Sequence, residues 1–111
     1  MSPITTHVLD TATGRPAAGI TVILSKSGGG GWSRVGGGVT DADGRCRNLM
    51  KEGKLKKGAY RLTFSTTAYF KKTRRTGFYP SVTIEFTVRY ARHHHVPLLL
   101  SPWGYSTYRG S

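Results

Sequence analysis

Val82-Thr83-Ile84-Glu85-Phe86-Thr87-Val88-Arg89-Tyr90 alternates apolar and polar residues without a break. Successive side chains of a strand point to opposite faces, so this period of two predicts a half-buried β-strand rather than a helix. The same period runs through Tyr60, Leu62 and Phe64, set between Arg61, Thr63 and Ser65, and through Ile20, Val22 and Leu24. Residues 4–10, 32–40 and 94–100 are rich in β-branched or aliphatic side chains and read as further strands, with a last one over residues 103–110. Turn chemistry separates these runs: Asp10 to Gly14, Asp41-Ala42-Asp43-Gly44, Lys57-Gly58 and Tyr79-Pro80. Gly28-Gly29-Gly30-Gly31 reads as a flexible turn between strands, with Gly36-Gly37-Gly38 a second glycine group. Only residues 66–74 have a helical pattern, about two turns of it. Many short strands at roughly ten-residue spacing predict an all-β sandwich or barrel.

The chain has 111 residues, which fits a single domain over 1–111 and leaves no room for two. Cys46 is the only cysteine, so neither an intrachain disulfide nor a thiolate metal cluster is available. No apolar run is long enough for a transmembrane helix, no secretory leader is visible, and the last residues are not a Ser-Lys-Leu address. The expectation is a soluble protein of a reduced compartment, cytoplasmic, or peroxisomal through a partner in a eukaryote. Seventeen Lys and Arg against five Asp and Glu give a net charge of +12. Such a balance suits a nucleic-acid face or the steering of a small anion. No zinc-finger spacing, basic zipper or aromatic RNP strand accompanies it, so no nucleic-acid partner is expected. Most of the charge is read as solvated surface.

Chemistry concentrates on the histidines, His7 and the triplet His93-His94-His95. On a strand, His93 and His95 share one face while His94 joins the apolar set Val96, Leu98 and Leu100. Imidazoles serve as general acid and base near neutral pH, and two at i and i+2 with a distant third also form a zinc arrangement. No Gly-x-Ser-x-Gly elbow supports a serine nucleophile, and Cys46, beside a turn, is expected to be inert. Arg45 emerges from the Asp43-Gly44 turn, where its guanidinium is either plain surface or a rigid fork for a planar carbonyl.

Longer stretches carry a resemblance. Residues 2–17, with Ile4-Thr5-Thr6-His7-Val8-Leu9-Asp10, are similar to the opening of the 5-hydroxyisourate hydrolases of the transthyretin family. Thr40-Asp41-Ala42-Asp43-Gly44-Arg45-Cys46, Gly58 to Phe64 and Phe78-Tyr79-Pro80 resemble later segments of the same proteins. The most specific match is His95-Val96-Pro97-Leu98-Leu99-Leu100-Ser101-Pro102 leading to the tetrapeptide Tyr108-Arg109-Gly110-Ser111. The resemblance implies a transthyretin-like β-sandwich of two four-stranded sheets with one short helix. It implies a homotetramer, a dimer of dimers, with active sites where the dimers meet. It further implies hydrolysis of 5-hydroxyisourate to 2-oxo-4-hydroxy-4-carboxy-5-ureidoimidazoline in urate degradation, without metal or organic cofactor.

Residue by residue, the resemblance assigns catalysis to His7, Arg45, His95 and Ser111, and adds Tyr108 and Arg109 as substrate contacts. His7 and His95 would share the proton transfers. Arg45 would hold the carbonyls and keep a neighbouring imidazole neutral, while Ser111 would orient substrate or water. The chain departs from the family pattern at Arg47, Ser65 and His94, where Pro, Asp and Tyr respectively are common, and at Ser81, where Glu or another residue is frequent. Two other readings remain: a transthyretin-type carrier of small ligands, and a zinc hydrolase built on His7, His93 and His95.

Overall fold

The computed structural model describes residues 2–111. Its elements in chain order are β1 (Ile4–Asp10), β2 (Arg15–Pro16), β3 (Thr21–Gly28), β4 (Gly31–Val39), β5 (Arg45–Cys46), β6 (Gly58–Phe64), α1 (Thr66–Lys72), β7 (Val82–Val88), β8 (His94–His95), β9 (Leu98–Ser101) and β10 (Gly104–Thr107). One sheet has the order β4-β3-β6-β7, all neighbours antiparallel. The other follows β10-β9-β1-β2, and the two-residue strands β5 and β8 also pair with β1, making six strands in all. The expected four-strand path is therefore present in each sheet, with two short additions on the second.

Alternation fills the space between the sheets. Val22 and Leu24 of β3, Tyr60, Leu62 and Phe64 of β6, and Val82, Ile84 and Val88 of β7 point inward. They meet Ile4 and Val8 of β1 and Leu98 and Leu100 of β9. Burying side chains of this size contributes about 1.5–3 kcal/mol each relative to exposure, which is what drives two one-sided sheets together.

Three expectations change in detail. The run at residues 94–100 is two strands, interrupted at Val96-Pro97, because proline has no N–H to donate to a ladder. The first glycine group is a tight hairpin turn: Gly28 pairs with Gly31, and Gly29 and Gly30 both have positive φ (60° and 82°), as a type I′ turn requires. Gly36-Gly37-Gly38 lies inside β4, within the strand expected over residues 32–40, and pairs with β3. The backbone carbonyl of Leu49 crosses so close that a Cβ on Gly36 would lie 1.7 Å from it.

The helix stops two residues short of the expected 74. Arg74 takes φ +60°, its N–H donates to the Lys71 carbonyl, and the Arg75 N–H donates to that of Phe70. That pair of bonds is a Schellman stop, here with Arg in the left-handed position where glycine is usual. Arg75 then reaches Asp10 at the end of β1, Nη2 to Oδ2 at 2.5 Å. Asp10 is fully buried and also accepts from the Tyr69 hydroxyl (2.7 Å) and from the N–H groups of Ala12 and Thr13. Burial alone would raise its carboxyl. The bonds from Arg75, Tyr69 and Thr13 outweigh that and hold it below the usual carboxylate range. The same burial, with the adjoining carboxylate, pushes Tyr69 up to about 12.

Candidate functional site

The inward face of β1 is Ile4, Thr6, Val8 and Asp10, so its outward face is Thr5, His7 and Leu9. Register then decides what stands beside each. Thr5 lies opposite His95 on β8, His7 opposite Arg45 on β5, and Leu9 opposite Leu99 on β9. His7, Arg45 and His95 come from three strands, yet they share the outer face of one sheet because β1 pairs with both of the others. Cys46 and His94, the neighbours of Arg45 and His95, point the other way and are buried.

A cavity of about 180 Å³ opens on this face, lined by Thr5, Thr6, Arg45, Arg47, His93, His95 and Ser111. His95 is half-buried, and its Nδ1 lies 2.8 Å from the Thr5 hydroxyl. That same hydroxyl lies 2.8 Å from Nε2 of His93, whose ring stacks on the His95 ring at 6.3 Å between centroids. Burial, followed by His93, Arg45 and His7, lowers the His95 pKa from its usual 6.5, outweighing an opposing contribution from the Thr5 backbone. His95 is therefore neutral at pH 7 and free to accept a proton.

The C-terminal tetrapeptide is only partly at this site. Gly110 bridges to His95, its N–H donating to the His95 carbonyl at 2.8 Å. A Cβ on Gly110 would stand 2.5 Å from His95 Cδ2, so glycine is what lets the segment lie flat against the ring. Ser111 reaches the cavity. Tyr108 does not: it lines a larger space of about 380 Å³ with Ile84, Phe86, Tyr90 and His94. Arg109 borders that space and also the shallow surface it shares with His93 and Ser111.

Arg47 adds a second guanidinium to the cavity, which its place next to Cys46 in the sequence did not suggest. His94 donates from Nδ1 to the Arg92 carbonyl at 2.6 Å, since a carbonyl can only accept. Ser65 stands at the start of α1 but its side chain makes no capping bond. Burial raises the Cys46 thiol, which disfavours the nucleophilic thiolate. Among the described residues no three His, Cys, Asp or Glu side chains are placed to hold a metal ion, so His7, His93 and His95 are not gathered as a zinc site would need. No described helix is long and apolar enough to cross a membrane.

Comparison with known proteins gives a consistent picture. A profile described as the HIUase/Transthyretin family matches residues 4–110. The mouse protein named 5-hydroxyisourate hydrolase is 46% identical over 113 residues, covering 99% of this chain and 96% of its own. The solved structure of Klebsiella pneumoniae 5-hydroxyisourate hydrolase is 39% identical, with a TM-score of 0.85 over 97% of this chain and 92% of its own. Sea bream transthyretin in complex with thyroxine superposes with a TM-score of 0.92 over 98% of this chain and 95% of its own, at 34% identity. Backbone overlap is thus higher with that transthyretin and side-chain identity higher with the hydrolases. Chemistry resides in side chains, so identity decides between them.

Proposed function

The chain belongs to the HIUase/Transthyretin family, and from that premise we propose that it hydrolyses 5-hydroxyisourate to 2-oxo-4-hydroxy-4-carboxy-5-ureidoimidazoline in urate degradation. The reaction is attack of water on a cyclic amide, opening the ring. The observation that carries this reading is the meeting of a neutral imidazole, His95, with His7 and Arg45 on one sheet face.

Attack on an amide carbonyl needs a base for the water, a cation or donor for the developing oxyanion, and an acid for the leaving nitrogen. His7 and His95 share the two proton transfers. Arg45 holds the planar carbonyls and stabilises the oxyanion, and its charge beside His95 keeps that imidazole neutral. Ser111 orients substrate or water from the cavity rim. Arg109 steers the electron-rich substrate inward, and Tyr108 bounds the neighbouring space. A carrier of small ligands without catalysis would have no use for the two imidazoles.

The assembly proposed is a homotetramer, a dimer of dimers. Its support is that the cavity lies on an outward sheet face with no further layer of the described residues over it, and that β7 and β10 are edge strands. Each protomer brings a charge of +12, so self-repulsion opposes assembly and salt favours it.

The test is to generate 5-hydroxyisourate from urate with urate oxidase and follow its ultraviolet absorbance. The protein accelerates the decay; an unchanged decay overturns the reading. His7→Ala and His95→Ala each lower kcat/KM by at least about tenfold, the lower bound for losing a general acid or base, and a smaller loss removes the residue from the mechanism.

A further inference from the structure

The Thr5 hydroxyl sits between two imidazoles, 2.8 Å from Nδ1 of His95 and 2.8 Å from Nε2 of His93. A hydroxyl has one proton. It cannot donate to both nitrogens, so if one bond is Thr5 donating, the other is Thr5 accepting. Two arrays satisfy this. In the first, His95 Nδ1–H donates to Thr5 and the Thr5 O–H donates to His93 Nε2, leaving His95 Nε2 bare. In the second, His93 Nε2–H donates to Thr5 and Thr5 donates to His95 Nδ1, leaving the proton of His95 on Nε2. The Thr5 oxygen can also accept from both rings, with its own proton directed elsewhere; where it donates to one of them, as in these two arrays, a single side chain on β1 ties the tautomers of the two histidines together.

We propose that His93 and Thr5 are positioning residues that form a proton relay behind His95, so that His95 exchanges protons at Nε2 without itself becoming a cation. This rests on the hydrolase reading above. A proton taken from water at His95 Nε2 is matched by transfer of the Nδ1 proton to Thr5 and of the Thr5 proton to His93 Nε2, which converts the first array into the second. Release of the Nε2 proton to the leaving ring nitrogen reverses each transfer. Nothing is gained or lost over the cycle, and the C–N bond of the ring is exchanged for the C–O bond from water.

The surroundings explain the value of such a relay. His95 is faced by Arg45 and Arg47 of β5 and its following residue, by His7 of β1, by His93 on its own segment and by Ser111. Burial and these groups disfavour a cation on His95. His93 is exposed to water, where a positive charge is cheaply solvated. The relay moves the charge from the first position to the second.

The experiment combines kinetics with imidazole nitrogen-15 NMR on the full chain. Thr5→Val keeps the branched shape without the hydroxyl, Thr5→Ser restores it, and His93→Gln alters an exposed side chain that the fold does not need. Thr5→Val and His93→Gln each lower kcat/KM by about tenfold or more and move the acid limb of its pH profile, while Thr5→Ser stays within about threefold of the parent. In the substrate-free parent, the nitrogen shifts of His93 and His95 titrate together, and Thr5→Val uncouples them. Activity within about threefold of the parent in both Thr5→Val and His93→Gln, with unchanged pH profiles, overturns the relay. So does independent titration of the two rings in the parent. A parent that fails to hydrolyse 5-hydroxyisourate while its two rings titrate together overturns the proposed function and leaves the coupling standing.

Discussion

Replacing Asp10 with Asn tests the buried junction between β1 and α1. Asp10 has no exposed surface, and its carboxylate takes the Tyr69 hydroxyl, the Arg75 guanidinium and two backbone N–H groups. Asn retains an oxygen for the two N–H groups, but its amide then presents hydrogens to Arg75, which has only hydrogens to offer in return. Breaking a fully buried ion pair costs about 3–5 kcal/mol. The Arg75 side chain keeps 24% of its exposure, so water recovers part of that, and about 2–3 kcal/mol is expected. For a domain of this size that lowers Tm by about 9–13 °C, from an unfolding entropy of roughly 2.1 cal/mol/K per residue. Calorimetry at fixed protein concentration reads it, since oligomerisation makes Tm concentration-dependent. The pH dependence supplies an independent check. A carboxyl held below its unfolded value of about 3.9 contributes stability above that pH, and loses it as pH falls through the lower folded value. The gap between parent and Asp10→Asn is therefore full at pH 6 and narrows below about pH 4. A Tm within about 2 °C of the parent at pH 6 refutes the junction as described.

Other perturbations address the site and its supports. Arg45→Met removes a cation beside His95, so its pKa rises and the acid limb of the kcat/KM profile moves to higher pH; an unmoved limb denies the electrostatic role. Gly110→Ala places a methyl about 1 Å inside contact distance of the His95 ring, and a displacement of that size lowers kcat/KM by up to about a hundredfold at constant Tm. Gly36→Ala drives a Cβ into the Leu49 backbone carbonyl, which has no flexible end to move, and lowers the urea midpoint by more than substitution of an exposed, unstrained glycine such as Gly31→Ala.

Where a signal repeats along the chain, the fold was legible. β7 and β6 were readable because every second side chain is buried against the other sheet, and the same period separated His95 from His94. Strands of two residues have no period to detect. β2 and β5 exist because β1 offers them edge partners, a fact stored in register rather than composition. The strand over residues 32–40 was readable, but not why it carries Gly36, since that reason lies at Leu49, a crossing segment outside its own sequence neighbourhood. The site divides in the same way. His7, Arg45 and His95 were named through resemblance and the structure gathers them on one face. His93 entered only as one of the imidazoles open to acid–base or zinc chemistry, since its link to His95 runs through Thr5, at the far end of the chain. Tyr108 was joined to Ser111 through the resemblance at the tetrapeptide, whereas it lines a separate space with Ile84 and Phe86 of β7.

The placement of β1 sets an order of events during folding. β3, β4, β6 and β7 all lie between residues 21 and 88, and each pairs with a neighbour through short or moderate connections. β1 must instead find β8 and β9, close to ninety residues away, and closing so long a loop is slow. The first sheet is thus free to assemble while the second waits for both ends of the chain. His7 and His95 belong to the late sheet, so on refolding the return of hydrolysis trails the return of strand circular dichroism. On the mechanism proposed above, activity reports the last contacts made, the joining of β1 to β8 and β9.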